Sequence, residues 1–231
     1  MSTTPSFFPS LIETLRAIDW PEIATAGGDT LLMLGGSLLF TALLGLPLGI
    51  ALYLFDRGRL VASPKVYGLL SFVVNVLRSL PFVILLIVLI PFTLLVTGTS
   101  LGVAGAIPPL VVGATPFLAR LVETALRGVD RGIVEAGLAM GASTRQIVWQ
   151  ALLPEALPGI VSALTVTAIT LVGYTAMSGV IGGGGLGDLA IRFGYQRFQT
   201  EVMVVTVVLL LVLVQLLQML GDWLVTRVTH R

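Results

Sequence analysis

An all-α membrane protein with five transmembrane helices is the fold class this sequence predicts, and three observations carry the prediction. Hydrophobic residues make up 56% of the chain and charged residues 11%, with a mean hydropathy of +1.02; a soluble domain carries about 25% charged residues. Uncharged runs recur along the chain, each reaching the ~20 residues that an apolar helix needs to cross a bilayer. Basic residues gather in alternate connecting segments, which sets an orientation.

Taken in order, residues 1–29 form an N-terminal extracytoplasmic or interfacial segment. Phe7, Phe8, Leu11, Ile12, Leu15 and Ile18 recur at helical spacing and Trp20 follows, the pattern of a helix lying in the membrane surface; a poorly ordered terminus is the alternative. Arg16 stands against Glu13, Asp19, Glu22 and Asp29, with no basic stretch before an apolar core, so the segment does not read as a signal peptide. The membrane domain covers 30–227. Its first span is 30–55. The stretch 66–119 holds a single charge, Arg78, and is too long for one helix. The polar run Thr97-Gly98-Thr99-Ser100-Leu101-Gly102 divides it into spans 68–96 and 101–125 joined by a tight hairpin. The fourth span is 157–181 and the fifth 202–224.

Arg57, Arg59 and Lys65 follow the first span, Arg127, Arg131 and Arg145 the third, and Arg227, His230 and Arg231 the fifth. All lie on one side, assigned to the cytoplasm, which puts the N-terminus outside and the C-terminus inside. Arg192 and Arg197, on the other side, weakly oppose this assignment.

Composition removes several functions. The chain has no Cys and one His, so disulfides, thiolate metal sites and thiol nucleophiles are excluded, and no metal site is expected. A net charge of +1 gives no basis for nucleic-acid binding. No Asp or Glu lies between Asp56 and Glu123, and five spans do not divide into equal halves. An ion-coupled secondary transporter, which relies on intramembrane carboxylates or inverted repeats, is therefore the weaker alternative. A membrane enzyme has almost no chemistry available.

The charged island 131–154, between the third and fourth spans, predicts two short helices at an angle. The first runs from Arg131 to Met140. Ser143 and Gln146 make a capping box that starts the second near Thr144. That helix should stop near Leu152, because a residue before Pro154 is pushed out of helical conformation. Gly141 sits at the turn, where a positive φ suits glycine. Leu138, Ala139, Met140, Gly141 and Ala142 are then exposed.

This island resembles the cytoplasmic loop by which the membrane subunits of ABC importers dock on their ATPase. The family pattern reads E-A-A, three residues, G, nine residues, I, one residue, L-P. Glu135, Ala136, Gly141, Leu153 and Pro154 match it, while Gly137 stands where the family prefers Ala and Ala151 where it prefers Ile. The resemblance extends over most of the chain and is closest to the permeases of methionine ABC importers. Asn75-Val76-Leu77-Arg78-Ser79-Leu80-Pro81-Phe82, Ile90-Pro91-Phe92-Thr93, Val112-Gly113-Ala114-Thr115-Pro116-Phe117, Ile169-Thr170-Leu171-Val172-Gly173-Tyr174 and the run Gly182–Gly187 carry it. It implies a homodimeric type I membrane domain in surrounding lipid, two ABC ATPase subunits and an extracytoplasmic methionine-binding lipoprotein. ATP and Mg belong to the ATPase and no cofactor to this chain, which has no G-x-x-x-x-G-K-[ST] phosphate loop. Glu135 through Ser143, with Leu153 and Pro154, would form the docking loop, Glu135 capping a helix end or pairing with Arg131 or across the interface. The same family also serves other small solutes, which is the second reading.

Within the spans, Arg78 lies about 16 Å along its helix at ~1.5 Å per residue. With Asn75 it lines the path or its gate, or it pairs across a dimer, or it is satisfied locally by Asn75 and backbone carbonyls. Arg120 and Glu123 should form a local ion pair. Pro108, Pro109 and Pro116 interrupt the third span, which suggests a bent pore-lining helix or a packing kink. Tyr174, Met177 and Ser178 border the path or its outer gate, unless Gly173, Ala176 and Gly179 make that face a packing surface. Gly182–Gly187 reads as a flexible external turn.

Overall fold

The computed structural model describes residues 18–229, so Phe7, Phe8, Leu11, Ile12 and Leu15 of the expected interfacial helix and the terminal His230 and Arg231 lie outside the described residues. Every element is helical: α1 Trp20–Phe55, α2 Pro64–Ser79, α3 Phe82–Val88, α4 Ile90–Thr97, α5 Gly102–Arg127, α6 Arg131–Ala139, α7 Thr144–Gln146, α8 Leu153–Ser178, α9 Gly185–Leu189 and α10 Thr200–Thr229. Short π-helical segments, Ile147–Leu152 and Ala190–Tyr195, join α7 to α8 and follow α9. Among the described residues four continuous helical stretches are long and apolar enough to cross a membrane, and the count reaches five only if the bent pair α2–α3 is one span.

The first helix starts at Trp20, not at residue 30. Asp19 caps it, accepting from the Glu22 amide at 3.2 Å, and Pro21 occupies its first turn, where a missing amide hydrogen costs nothing. α1 packs along α5. A Cβ on Gly49 would stand 2.7 Å from the Ala119 carbonyl oxygen and 2.7 Å from Val122 Cβ, so only glycine lets the two backbones meet. Half of the most apolar window of α5 is buried against 6% for that of α10, which makes α5 the central helix and α10 a peripheral one.

The second span is not one helix. α2 and α3 meet at 103°, because Pro81 forces Leu80 to an extended ψ of 131°. By contrast α5 runs unbroken through Pro108, Pro109 and Pro116. Pro109 and Pro116 are buried and α1 and α8 hold the helix on its flanks, whereas Val74 is the only buried residue of α2. The hairpin between α4 and α5 forms as expected, with Gly98 at φ 75° ending α4, and the Gly102 amide donates to the Gly182 carbonyl at 2.9 Å.

The helix after the loop does not stop at Leu152. It continues as one 38-residue stretch, Thr144–Ile181. The intervening π segment absorbs Pro154: the Leu153 amide donates five residues back, to Val148. That register frees a carbonyl from needing a partner at Pro154, which has no amide hydrogen to give. The glycine run after α8 is packed rather than loose. Gly185, Leu186 and Gly187 are buried, and the Leu186 amide donates to Thr30 Oγ1 of α1 at 2.9 Å.

Candidate functional site: an exposed helical knob and an aromatic cavity

The knob is built from local capping on both sides of Gly141. Asp130 accepts from the Gly132 amide at 2.8 Å and starts α6. α6 ends at Ala139, and Gly141 then takes φ 75°. There its amide donates to Leu138 and the Ala142 amide to Gly137, closing the helix end as left-handed glycine caps do. The predicted capping box is present: the Ser143 amide donates to Gln146 Oε1 at 2.8 Å and the Gln146 amide to Ser143 Oγ at 3.4 Å. Such a cap contributes about 1 kcal/mol.

The two short helices are clamped from beneath. Ile147, Val148 and Leu152 share one core with Tyr53, Leu118, Val122 and Leu126. Gly137, a member of the expected docking loop, is buried: a Cβ there would lie 3.1 Å from Ile147 Cγ1. The knob's outer face is apolar and projecting, with Leu138 53% and Met140 81% exposed. Ala139 and Gly141 are exposed beside them, and Ala142 is half-buried. Ala136 and Ser143 are also exposed, while Leu153 is half-buried and Pro154 exposed at the start of α8. Glu135 is exposed and makes no ion pair with Arg131 among the described residues. Both instead line a cavity of about 320 Å³ with Arg59, Tyr53 and Leu138; Tyr53 holds Arg59 through a hydrogen bond of 3.1 Å and its ring face.

Beside the knob's core, the expected Arg120–Glu123 pair forms at 2.7 Å, but it is one part of a larger network. Glu123 is 2% exposed. It also accepts from Arg127 at 2.7 Å and from the Tyr67 hydroxyl at 3.3 Å. Arg127 reaches Asp56 at 2.9 Å. Arg120 donates to Ser71 Oγ and to Asn75 Oδ1, the latter at 3.0 Å. Asn75 therefore serves Arg120 and not Arg78. Tyr67, Ser71 and Asn75 stand four residues apart in sequence, a polar stripe on one face of α2 that spacing alone could have revealed.

Arg78 is exposed in the last turn of α2, at the bend. Its guanidinium lies 6.0 Å from the centre of the Phe117 ring and has no hydrogen-bond or ion-pair partner among the described residues. It lines a cavity of about 130 Å³ with Leu77, Leu80, Phe82, Leu85, Gly113, Phe117 and Tyr174. Phe82 and Tyr174 stack at 4.0 Å with 4° between their planes. Arg78 and Tyr174, 96 residues apart in sequence, are thus brought to one place. Met177 is exposed one turn further along α8. Ser178 is not at the surface: its hydroxyl is fully buried, donates to the Thr175 carbonyl at 2.7 Å and packs under Gly183.

A bundle of long apolar helices with exposed apolar sides and a projecting knob at one end defines a multi-pass membrane protein. The chain belongs to the family of binding-protein-dependent transport system inner membrane components, whose model matches residues 45–231. It is 48% identical over 217 residues, 93% of this chain and 96% of the other, to the probable D-methionine transport system permease protein MetI of Vibrio cholerae. It is 46% identical over 180 residues, 78% of this chain and 81% of the other, to the methionine import system permease protein MetP of Bacillus subtilis. The fold matches a chain of the MetNI methionine ABC transporter in inward-facing conformation, with a TM-score of 0.89 and 47% identity over 91% of this chain and 99% of that one.

Proposed function

We propose that this chain is the permease subunit of an ATP-driven importer that carries methionine, as the D- or L-isomer or both, across the cytoplasmic membrane. The observation that carries the reading is the knob, which presents Leu138 and Met140 on a capped, clamped elbow with Gly141 at its tip. The names of the methionine permeases to which the chain is similar supply the substrate. Two copies form the path along their shared interface. The knobs, on the side rich in Arg57, Arg59 and Lys65, face the cytoplasm, where each seats in one of two ATPase subunits that bind ATP and Mg. The chain itself catalyses nothing. A methionine-binding lipoprotein docks on the outer face near α9. ATP draws the two knobs together and opens the path outward; hydrolysis returns it inward. Arg78, Tyr174 and Met177 border that path.

The test is uptake of labelled methionine into liposomes holding the complete complex with its binding protein. Accumulation should require ATP and persist when ion gradients are dissipated. Uptake driven by an ion gradient without ATP would instead establish the secondary-transporter reading, and ATP-dependent uptake of other solutes alone would reassign the substrate.

A further inference from the structure

The cavity at the α2–α3 bend contains a charge that this chain does not neutralise. A cation within a membrane span is costly and finds a counter-charge or a wet cavity. Arg120 and Arg127 have Glu123. Arg78 has only the face of Phe117. No Asp or Glu lies between Asp56 and Glu123, none between 156 and 187, and none between 202 and 221. A second copy of the chain brings the same sequence, and its Glu123 is already held by two arginines. Among the described residues no carboxylate pairs with Arg78, and the apolar stretches 30–55, 57–122, 156–187 and 202–221 hold none, so a solute that passes through can supply the anionic group.

The walls suit one class of solute. The Tyr174 hydroxyl has no partner among the described residues, so a second hydrogen-bond donor lines the same cavity as the guanidinium. The stacked Phe82–Tyr174 pair, Phe117, Leu77 and Leu85 supply apolar and aromatic surface, to which a thioether side chain is well matched. Gly113 keeps the Phe82 ring in place: a Cβ there would meet it at 3.2 Å.

We propose that Arg78 and Tyr174 form a carboxylate subsite in the path, which takes the α-carboxylate of a free amino acid while Phe82, Phe117 and Leu85 receive its apolar side chain. The subsite rests on the importer reading. Arginine suits it because its planar fork matches a carboxylate with two parallel hydrogen bonds.

The chain has no cysteine, so a single reporter, Leu80→Cys, can be placed at the cavity wall and its labelling followed on this chain in the assembled complex in lipid nanodiscs. An anionic thiosulfonate should react faster than a cationic one by roughly tenfold, the local enrichment that a charged cleft gives. Methionine should slow the labelling, and methioninamide, which lacks the carboxylate, should not. Arg78→Gln in the same background should abolish both the charge preference and the protection, and Arg78→Lys should keep the charge preference. Tyr174→Phe should keep the charge preference and weaken the protection severalfold. Equal rates for the two reagents, or equal protection by methionine and its amide, would overturn the subsite. The complex is first shown to take up methionine with ATP: failure there removes the importer reading, and success there without protection removes the subsite alone.

Discussion

Gly141→Val will separate the chain from its ATPase, and Gly141→Asn will not. A Cβ at this position meets nothing within 4 Å, so the effect of valine is conformational and not steric. At φ 75° an ordinary L-residue is disfavoured by about 1–2 kcal/mol, and a β-branched residue is a clear outlier there. The elbow between α6 and α7 will then open by losing the bonds from Gly141 to Leu138 and from Ala142 to Gly137, which displaces Leu138 and Met140 from the docking position proposed for them. Asparagine adopts the left-handed region with little strain. Binding of the purified ATPase to the two variants in detergent should differ by roughly tenfold, equivalent to ~1.4 kcal/mol. Equal binding by both variants would show that the shape of the elbow does not set the interface.

Glu123→Gln will destabilise the folded chain more than any single change at the knob. The substitution leaves Arg120, whose side chain is 18% exposed, without its carboxylate. Removing one partner of a buried ion pair costs about 3–5 kcal/mol, whereas replacing both partners with apolar residues is often neutral. Arg127 loses less, because it is 39% exposed and retains Asp56. Thermal unfolding of the purified protein should therefore show a large loss for Glu123→Gln and a substantial recovery in the double variant Glu123→Gln with Arg120→Met. Strict additivity of the two substitutions would mean that the residues do not act as one unit. The network joins the loop after α1, α2 and α5 beside the core that clamps the knob, so the same double variant also reports whether knob and spans move together.

The hydrophobic runs made the all-helical membrane fold legible, because a bilayer demands long uncharged stretches and the sequence has them. The knob was legible for a different reason: its geometry is fixed by neighbours, Ser143 by Gln146 and Gly141 by its own backbone, and local chemistry is written locally. What sequence left out was long-range. Nothing near Glu123 in sequence announces Tyr67 or Asp56, and nothing near Arg78 announces Tyr174. Proline was read at the wrong places for the same reason. Whether a proline breaks a helix depends on what surrounds it: Pro116 is buried in the centre of the bundle and α5 continues, while Pro81 follows a largely exposed helix and the chain turns. Pro154 predicts a stop by pushing Leu153 out of helical conformation, yet Leu153 stays helical at φ −66° and ψ −44° where the π segment meets α8.

The central claim is that this chain carries a signal between an external ligand and an internal ATPase. The most direct measurement is ATP hydrolysis by the purified complex in lipid, with and without ligand-loaded binding protein on the opposite face. Stimulation of hydrolysis by the loaded binding protein, lost in Gly141→Val, is the predicted result. Hydrolysis indifferent to the binding protein, or a chain that takes up methionine with no ATPase attached, would contradict it.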